Sequence, residues 1–475
     1  MPADIKATHA LYGKSEAKWM RINTCLLGED AIKEAKETYL PFPLYSDSLD
    51  RKSEEFIAEY GVYLAGAHFT NYTLQASEDL VSAVFRADMI VSKNPDKLEY
   101  IDLETTARDI VKDVSSYGRV GLFIDYPTTD DPTQEQDTEN FAYMEVYNTL
   151  DIINWKTVRR GGIKTLSMVT LREIWYNDLN EPKHRYRELV LEDGIYKVRV
   201  YADEDHLLFD EFIPQANGTT LDHIPFYFIG AISNTSDPDE PPIIGIANSN
   251  IKHYQTWAEL NHVQTYMGHP MLAITGAPNG FTKKAKDEGV TFTVGARQAL
   301  VMEGDAAAAS VLQAPDAGGI HFKTLAQLEK SMIDQGAKLK SGDQKNSAET
   351  ENTLKIRHSS ETSILASIAK NVEAGLESAM RDIGLFMGVE LPADFDIQLN
   401  KEYLDPAPDA GLIGALNTAV TSGNYTKESF TNYLQQVGLV DEDKDVAAVV
   451  AELGETDPFN VSSDLPSSLP GEVTE

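Results

Sequence analysis

Apolar residues recur at helical spacing in the first and last thirds of the chain and at strand spacing between them. Residues 14–40 predict a helix, a break at Gly28, and a second helix closed by Pro41. Residues 49–86 predict one long helical block. Phe56, Ile57, Tyr60, Leu64 and Ala67 recur three or four apart there, and Leu80, Val81, Val84 and Phe85 repeat the pattern. The stretch IDLETTARDIVKDVSSYG (101–118) is amphipathic and ends on Gly118, a residue suited to a helix C-terminal stop. It runs into RVGLFIDYP (119–127), the apolar run of a buried strand.

From 141 to 229 the period shortens to two. FAYMEVYN, TLSMVTLREIWY, HRYRELVLED, GIYKVRVYADE and IPFYFIG alternate or are β-branched, with hairpin signals at Gly161-Gly162 and Asp193-Gly194. A Pro/Asp-rich junction, SNTSDPDEPPIIG (233–245), returns the chain to helix. Residues 246–268 suit a single helix roughly 35 Å long. Ile251, Tyr254, Trp257, Ala258, Leu260, Val263 and Met267 are its apolar positions, and Gly268 and Pro270 stop it.

Residues 271–319 read as a compact insertion with short strands MLAIT, VTFTV and QALVME. Helix resumes over 320–341 through Leu325, Leu328, Met332, Ile333 and Leu339. Residues 361–387 carry the strongest pattern, from Ile364 and Leu365 to Ile383 and Phe386. The region 408–454 predicts three short helices, at about 409–422, 426–437 and 441–453. The fold class expected is mainly α with β insertions, an α+β chain of two to four core-forming units.

One stretch breaks this rhythm. Gly342 to Ser360, GDQKNSAETENTLKIRHSS, is almost without apolar residues and joins two helical blocks. Connections inside compact domains usually run about 4–6 residues. A disordered spacer and a segment working in a solvated cavity both fit it.

Composition narrows the function. Hydrophobic content of 42% and aromatic content of 9% are globular values, and only the last ~20 residues read as a loose tail. The 75 acidic against 41 basic residues give a formal charge of −34. That opposes a broad grip on phosphates, though not nucleic acid passing by without being held. The one cysteine, Cys25, provides no internal disulfide and no cysteine metal cage. No opening run has signal-peptide order and no stretch approaches ~18 apolar residues, so a soluble intracellular protein with no membrane partner is expected.

Enzyme signatures do not emerge. Gly13-Lys14-Ser15 has Thr8 where a phosphate loop needs glycine, and no strand precedes it. His253 and His262 lie nine apart and His269 follows the helix break, so they form no metal-binding face and read as surface or inter-subunit histidines. Asp125, Asp130 and Asp131 read as a solvated acidic turn, and the run ADEDHLLFDE (202–211) similarly as acidic hairpin residues with no visible partner. No catalytic residue, no metal site and no cofactor is expected.

Two features resist so plain a reading. The helices at 246–268 and 320–341 bracket a small β insertion, as a stalk carries a head, and the polar stretch follows directly. In this order of elements the chain resembles the portal proteins of tailed bacteriophages. The opening residues Trp19, Gly28, Ala35, Tyr39, Leu40 and Pro41 are similar to that family's helical start. Residues 241–276 and 326–380 resemble its two most recognisable segments.

The resemblance implies a portal-type, ring-forming fold, commonly of twelve subunits, at one capsid vertex. Residues 1–245 would be the wing, together with part of 354–400. Residues 246–268 and 320–341 would be the stem helices, 269–319 the clip, and 342–353 the tunnel loop. Residues 354–400 would carry the long channel and wing helix, 401–455 the crown and 456–475 a flexible tail. Implied partners are other copies of the chain, double-stranded DNA in transit, the terminase large subunit, a head–tail adaptor and the major capsid protein. Implied locations are the virion and, during assembly, the host cytoplasm.

An acidic bore would repel phosphates and keep a duplex centred. Lys338, Lys340 and Lys345 cluster before and within the implied tunnel loop, beside Gly342, Asp343, Gln344 and Asn346, and Lys355 and Arg357 follow. These cations either touch phosphate briefly or pair with Glu329, Asp334, Asp343, Glu349 and Glu351 across subunits. Lys283, Lys284 and Lys286 form a basic spot in the implied clip, facing an acidic motor or adaptor, or lying in a solvated turn. The alternative is another head–tail connector, or an acidic scaffold ring without a packaging role.

Overall fold

The computed structural model describes residues 5–42, 51–126, 141–176, 180–202, 208–268, 271–275, 308–312, 318–341, 363–401, 403, 410–422, 426–436 and 446. The chain divides into two units. The first holds Met1–Gln344 with Glu361–Lys401, and the second holds Lys345–Ser360 with Glu402–Glu475.

The first unit opens with α1 (Ala10–Leu27) and α2 (Glu29–Glu34), parted at Gly28, whose φ of 95° suits glycine. Trp19, Ile22 and Cys25 form the buried face of α1. The second helix stops sooner than its periodicity predicts. Lys36 takes a positive φ of 47° and begins a 3-10 turn over Lys36–Thr38.

The block expected over 49–86 is two helices, α3 (Glu54–Gly66) and α4 (Tyr72–Val84). Each has its own cap, Ser53 Oγ accepting from Phe56 N at 3.1 Å and Asn71 Oδ1 from Leu74 N at 2.9 Å. Extended backbone at Ala67 ends α3 and the Asn71 cap starts a new helix, and apolar spacing alone is blind to that.

Helix α5 (Leu103–Tyr117) ends on Gly118 in the left-handed region, φ 81°. A Cβ there would meet the Asp239 carbonyl oxygen at 2.7 Å, so the stop requires glycine for space as well as conformation. The chain then enters β2 (Arg119–Asp125), buried at every position. It is the central strand of an antiparallel three-stranded sheet, between β3 (Tyr143–Asn148) and β11 (Phe226–Gly230).

A second, five-stranded antiparallel sheet runs in chain order through β4 (Ile152–Arg160), β5 (Ile163–Tyr176), β6 (Pro182–Glu192), β7 (Ile195–Ala202) and β8 (Leu208–Phe212). Both predicted hairpins turn where expected. Gly161 and Gly162 have φ of 56° and 89°, Asp193 and Gly194 of 52° and 81°, the paired positive values that match strand twist. Strand β4 carries no clean alternation and was not expected. Strands β7 and β8 pair antiparallel, as the hairpin reading of 202–211 expects, but Glu211 has a partner, accepting from Arg199 Nε at 2.6 Å. Short β9 (Gln215–Ala216) and β10 (Thr219–Thr220) close a further turn, and β1 (Ile90–Ser92) pairs with β14 (Asp396–Gln398).

Helix α6 (Ile244–Gly268) follows the Pro/Asp junction. Strands β12 (Met271–Thr275) and β13 (Ala308–Leu312) pair antiparallel and lead to α7 (Gly318–Ser341). The longest apolar pattern becomes α8 (Ile364–Met387), started by Ser363 Oγ accepting from Ala366 N at 3.1 Å and stopped by Gly388 at φ 64°. It packs on α5, β2 and β11, and a Cβ on Gly375 would lie 2.5 Å from Ile229 Cδ1. The described part of the implied channel helix therefore sits inside the core of its own unit.

In the second unit, α9 (Ala410–Thr421) and α10 (Lys427–Gln436) pack on each other, matching the first two helices expected there. The third, at 441–453, lies outside the described residues. The chain is a mix of helix and sheet, consistent with the α+β class.

Candidate functional site

The two implied stem helices meet as an antiparallel pair. A Cβ on Gly245, at the start of α6, would touch Gln335 Oε1 near the end of α7. Further along, His253 Nε2 lies 3.2 Å from Glu329 Oε1, and Glu259 Oε2 lies 3.8 Å from His321 Nε2. Contacts that advance along α6 while receding along α7 fix the pairing.

Helix α6 is buried around most of its circumference because α1, α3, α4 and α7 all pack on it. Asn250 is fully buried and satisfied. Its Oδ1 accepts from Thr73 N and Thr73 Oγ1, both at 3.0 Å, and its Nδ2 donates to Thr70 O at 2.8 Å. Gln255 Nε2 donates to Tyr39 O at 2.9 Å, and Arg21 donates to Asn248 Oδ1 at 2.6 Å. A buried amide such as Asn250 is tolerated only when so paired, and it ties α4 to α6, while the part-buried Gln255 and the surface Arg21–Asn248 bond link α6 to the opening segment.

Helix α7 behaves differently. Leu325, Met332 and Leu339, seven residues apart, bury one narrow stripe. Outside that stripe Ile320 is 72%, Phe322 52% and Ile333 67% exposed. Lys338 is exposed and Lys340 half-buried in its last turn, where cations suit the helix C-terminus. Neither has an ion pair among the described residues. Of the carboxylates proposed for them, Glu329 is already engaged by His253. Gly342, Asp343, Gln344, Lys345, Asn346, Lys355 and Arg357 lie outside the described residues, as do Lys283, Lys284 and Lys286.

His253 corrects a sequence expectation. It is buried, stacked edge-on against Tyr72 at 5.2 Å, and lies inside the helix pair rather than on a surface. Burial depresses its pKa, with the Glu329 carboxylate opposing. Asp125 is a second correction. It ends β2 in a buried network in which Arg187 donates to Asp125 Oδ2 at 3.1 Å and to Glu173 Oε1 at 2.6 Å. Tyr147 Oη donates to the same Glu173 oxygen at 2.7 Å, and Arg185 to Oε2. Burial pushes Asp125 above the usual carboxylate range against the pull of Arg187. In Glu173 burial pushes the same way, but Arg187, Tyr147 and Arg185 outweigh it and hold the group low. Asp130 and Asp131 are outside the described residues.

Sequence reasoning also passed over Arg119, a fully buried cation at the head of β2. Its guanidinium faces the rings of Trp19, Trp155 and Phe228, and Nη1 donates to Ser236 O at 2.7 Å. The signal was present, since an arginine opening an otherwise apolar strand must find partners.

One histidine has the neighbours of an acid–base group. His223 Nε2 lies 3.0 Å from Asp382 Oδ1 and its Nδ1 lies 3.0 Å from Asp222 Oδ1, while Tyr227 Oη donates to Asp382 Oδ2 at 2.7 Å. Both ring nitrogens face carboxylates, which raises the imidazole pKa to about 9 through the Asp382 hydrogen bond above all. An imidazolium held from both sides has no nitrogen left to take a proton from a substrate. Among the described residues no cluster of His, Cys, Asp and Glu could hold a metal ion, and no helix is long and apolar enough to cross a membrane.

Residues 242–387 match a family model described as "Domain of unknown function (DUF4055)". The match begins two residues before α6 and ends with α8, so it covers the helix pair and the core helix. No curated protein matches the chain. Among solved structures, a chain in "Neck of empty GTA particle computed with C6 symmetry" is 12% identical with a TM-score of 0.37, covering 82% of this chain and 95% of that one. A chain in "Virion of native gene transfer agent (GTA) particle" is 12% identical with a TM-score of 0.36, covering 86% and 99%. One in "Neck of native GTA particle computed with C12 symmetry" is 11% identical with a TM-score of 0.36, covering 82% and 93%. Likeness of this degree fixes neither fold nor activity.

Proposed function

We propose that this chain is the repeating subunit of a portal-type ring, commonly of twelve copies, at one vertex of a phage-like capsid. Its work is mechanical: DNA enters through the ring during packaging and leaves through it at ejection. The terminase large subunit, a head–tail adaptor and the major capsid protein dock around it. No reaction is assigned to the chain itself, which acts first in the host cytoplasm and then in the virion.

The observation that carries this reading is the α6–α7 hairpin. Two helices of about 24 residues pair antiparallel, with β12 and β13 leading from one to the other. One of them leaves Ile320, Phe322 and Ile333 uncovered in the single chain. Exposed large apolar residues on a helix already packed on one side call for a second protein surface. A ring of such hairpins places α7 of each copy against the next. The polar stretch after α7, with Lys345, then meets DNA or neighbouring carboxylates in a bore whose acidic balance discourages tight binding.

Negative-stain microscopy of the purified chain, with light scattering on the same sample, tests the reading. Closed rings with a central hole are expected. Monomers or open filaments at high concentration would overturn it.

A further inference from the structure

Between Asp151 and Glu173 the chain carries no acidic residue, although acids outnumber bases almost two to one overall. Lys156, Arg159, Arg160 and Lys164 fall within nine residues of this window. They occupy the β4–β5 hairpin, whose register sets Arg159 directly opposite Lys164 and Arg160 opposite Ile163. Like charges facing each other across two strands repel, so the pair is unfavourable for the isolated hairpin.

Internal compensation is slight. Lys164 reaches Asp237 at 3.7 Å, both side chains at least half exposed. Lys156 and Arg159 are exposed and have no ion pair among the described residues. The tip also stands clear, since a Cβ on Gly161 or Gly162 would meet nothing within 4 Å. The two-residue turn is thus open to solvent, with Lys156 and Arg159 exposed on the strand that leads into it.

The complementary surface lies in the same chain. From Ser53 to Phe85 there is no lysine or arginine, while Glu54, Glu55, Glu59, Glu78 and Asp79 punctuate α3 and α4. Glu54, Glu59, Glu78 and Asp79 are exposed and make no ion pair among the described residues. A closed ring is built from heterologous contacts, in which one patch of each copy meets a different patch of the next. Copies that each carry a formal charge of −34 also repel, so assembly needs local attraction between unlike patches.

We propose that the basic β4–β5 tip of one copy docks on the acidic α3–α4 surface of a second copy of this chain. The contact fixes which face of each copy meets the next and makes assembly sensitive to salt. This proposal rests on the ring reading above.

The test is a two-sided charge reversal in the full chain, read by light scattering across concentration and sodium chloride. Lys156→Glu with Arg159→Glu removes no internal ion pair among the described residues. It is expected to raise the midpoint concentration for assembly at least about tenfold and to flatten its salt dependence. Glu54→Lys, Glu59→Lys, Glu78→Lys and Asp79→Lys together should do the same, and the chain carrying all six changes should assemble again. Circular dichroism confirms that each variant is folded, and Lys156→Gln with Arg159→Gln should be intermediate.

If wild type assembles and the tip reversal assembles equally well, the docking proposal falls and the ring reading stands. If the six-change chain fails to recover, the α3–α4 surface is the wrong partner and the proposal falls. If wild type stays monomeric, both fall together. If the tip reversal leaves assembly intact but abolishes binding to a labelled DNA duplex, the tip is a phosphate contact and the docking proposal is overturned.

Discussion

The guanidinium of Arg119 lies 4.2 Å from the centre of the Trp155 ring and 4.9 Å from that of Phe228. One buried side chain therefore holds β2 against β4 and β11, with Trp19 of α1 closing the other side at 5.8 Å. Burial pulls its pKa down to about 9, which still leaves it charged at neutral pH. Arg119→Ala should cost about 3 kcal/mol or more, because ring faces and the Ser236 carbonyl lose their partner together. Arg119→Lys should be nearly as damaging, since a lysine ammonium has no flat face to stack. Urea unfolding followed by tryptophan fluorescence measures both, and a lysine variant as stable as wild type would show that stacking contributes nothing.

Asp113 is a carboxylate held where it costs stability. Burial raises its pKa from 3.8 to about 6, with the Asn148 amide, 3.1 Å away, opposing. The folded chain keeps this proton when the unfolded chain has released it, so stability falls as pH rises from about 4 through 6. Asp113→Asn should stabilise the protein at pH 7.5 by about 1–3 kcal/mol and remove that slope. Thermal melts at pH 5 and 7.5 read both effects.

His223 adds stability where Asp113 costs it, yet its pH slope has the same sign. Its folded pKa of about 9 exceeds the ordinary 6.5, so its stabilisation is complete below 6.5 and lost as pH rises through 9. Melting temperature should decline between pH 7 and 10 in wild type. In His223→Gln it should start lower and decline less, and equal slopes would exclude the Asp382–His223 pair as the source.

The uncovered residues of α7 separate folding from assembly. Phe322→Ser with Ile333→Glu changes positions 52% and 67% exposed, so the single chain should lose less than about 0.5 kcal/mol. If α7 carries the proposed subunit contact, this variant should fail to assemble at concentrations where wild type does, as light scattering would read. Unchanged assembly would place the subunit contact elsewhere.

Much of the framework was readable where local chemistry and tertiary packing agree. Gly118 ended α5 as its permissive backbone foretold, Gly161-Gly162 and Asp193-Gly194 turned their hairpins, and α6 and α7 fell where their apolar positions put them. The failures came where one signal overrode another. Asn71 split the 49–86 block because a cap outweighs continued periodicity. His253 and Asp125 were assigned to solvent because their partners, Glu329 and Arg187, lie 76 and 62 residues away in sequence. Spacing rules see nothing at that range. The turn of the basic hairpin was legible in Gly161-Gly162, but its pairing of Arg159 with Lys164 was not, because β4 lacks the alternation that sets strand register.

Strands β12 and β13 pair from Met271 with Leu312 to Thr275 with Ala308. The 32 residues between Thr275 and Ala308 therefore leave and return at one point on the ladder. Their number has no bearing on how α6 meets α7. Because the ladder holds the two ends of the stretch together, inserting or removing residues within it should leave the α6–α7 pairing intact, as the melting temperature of loop-length variants would read.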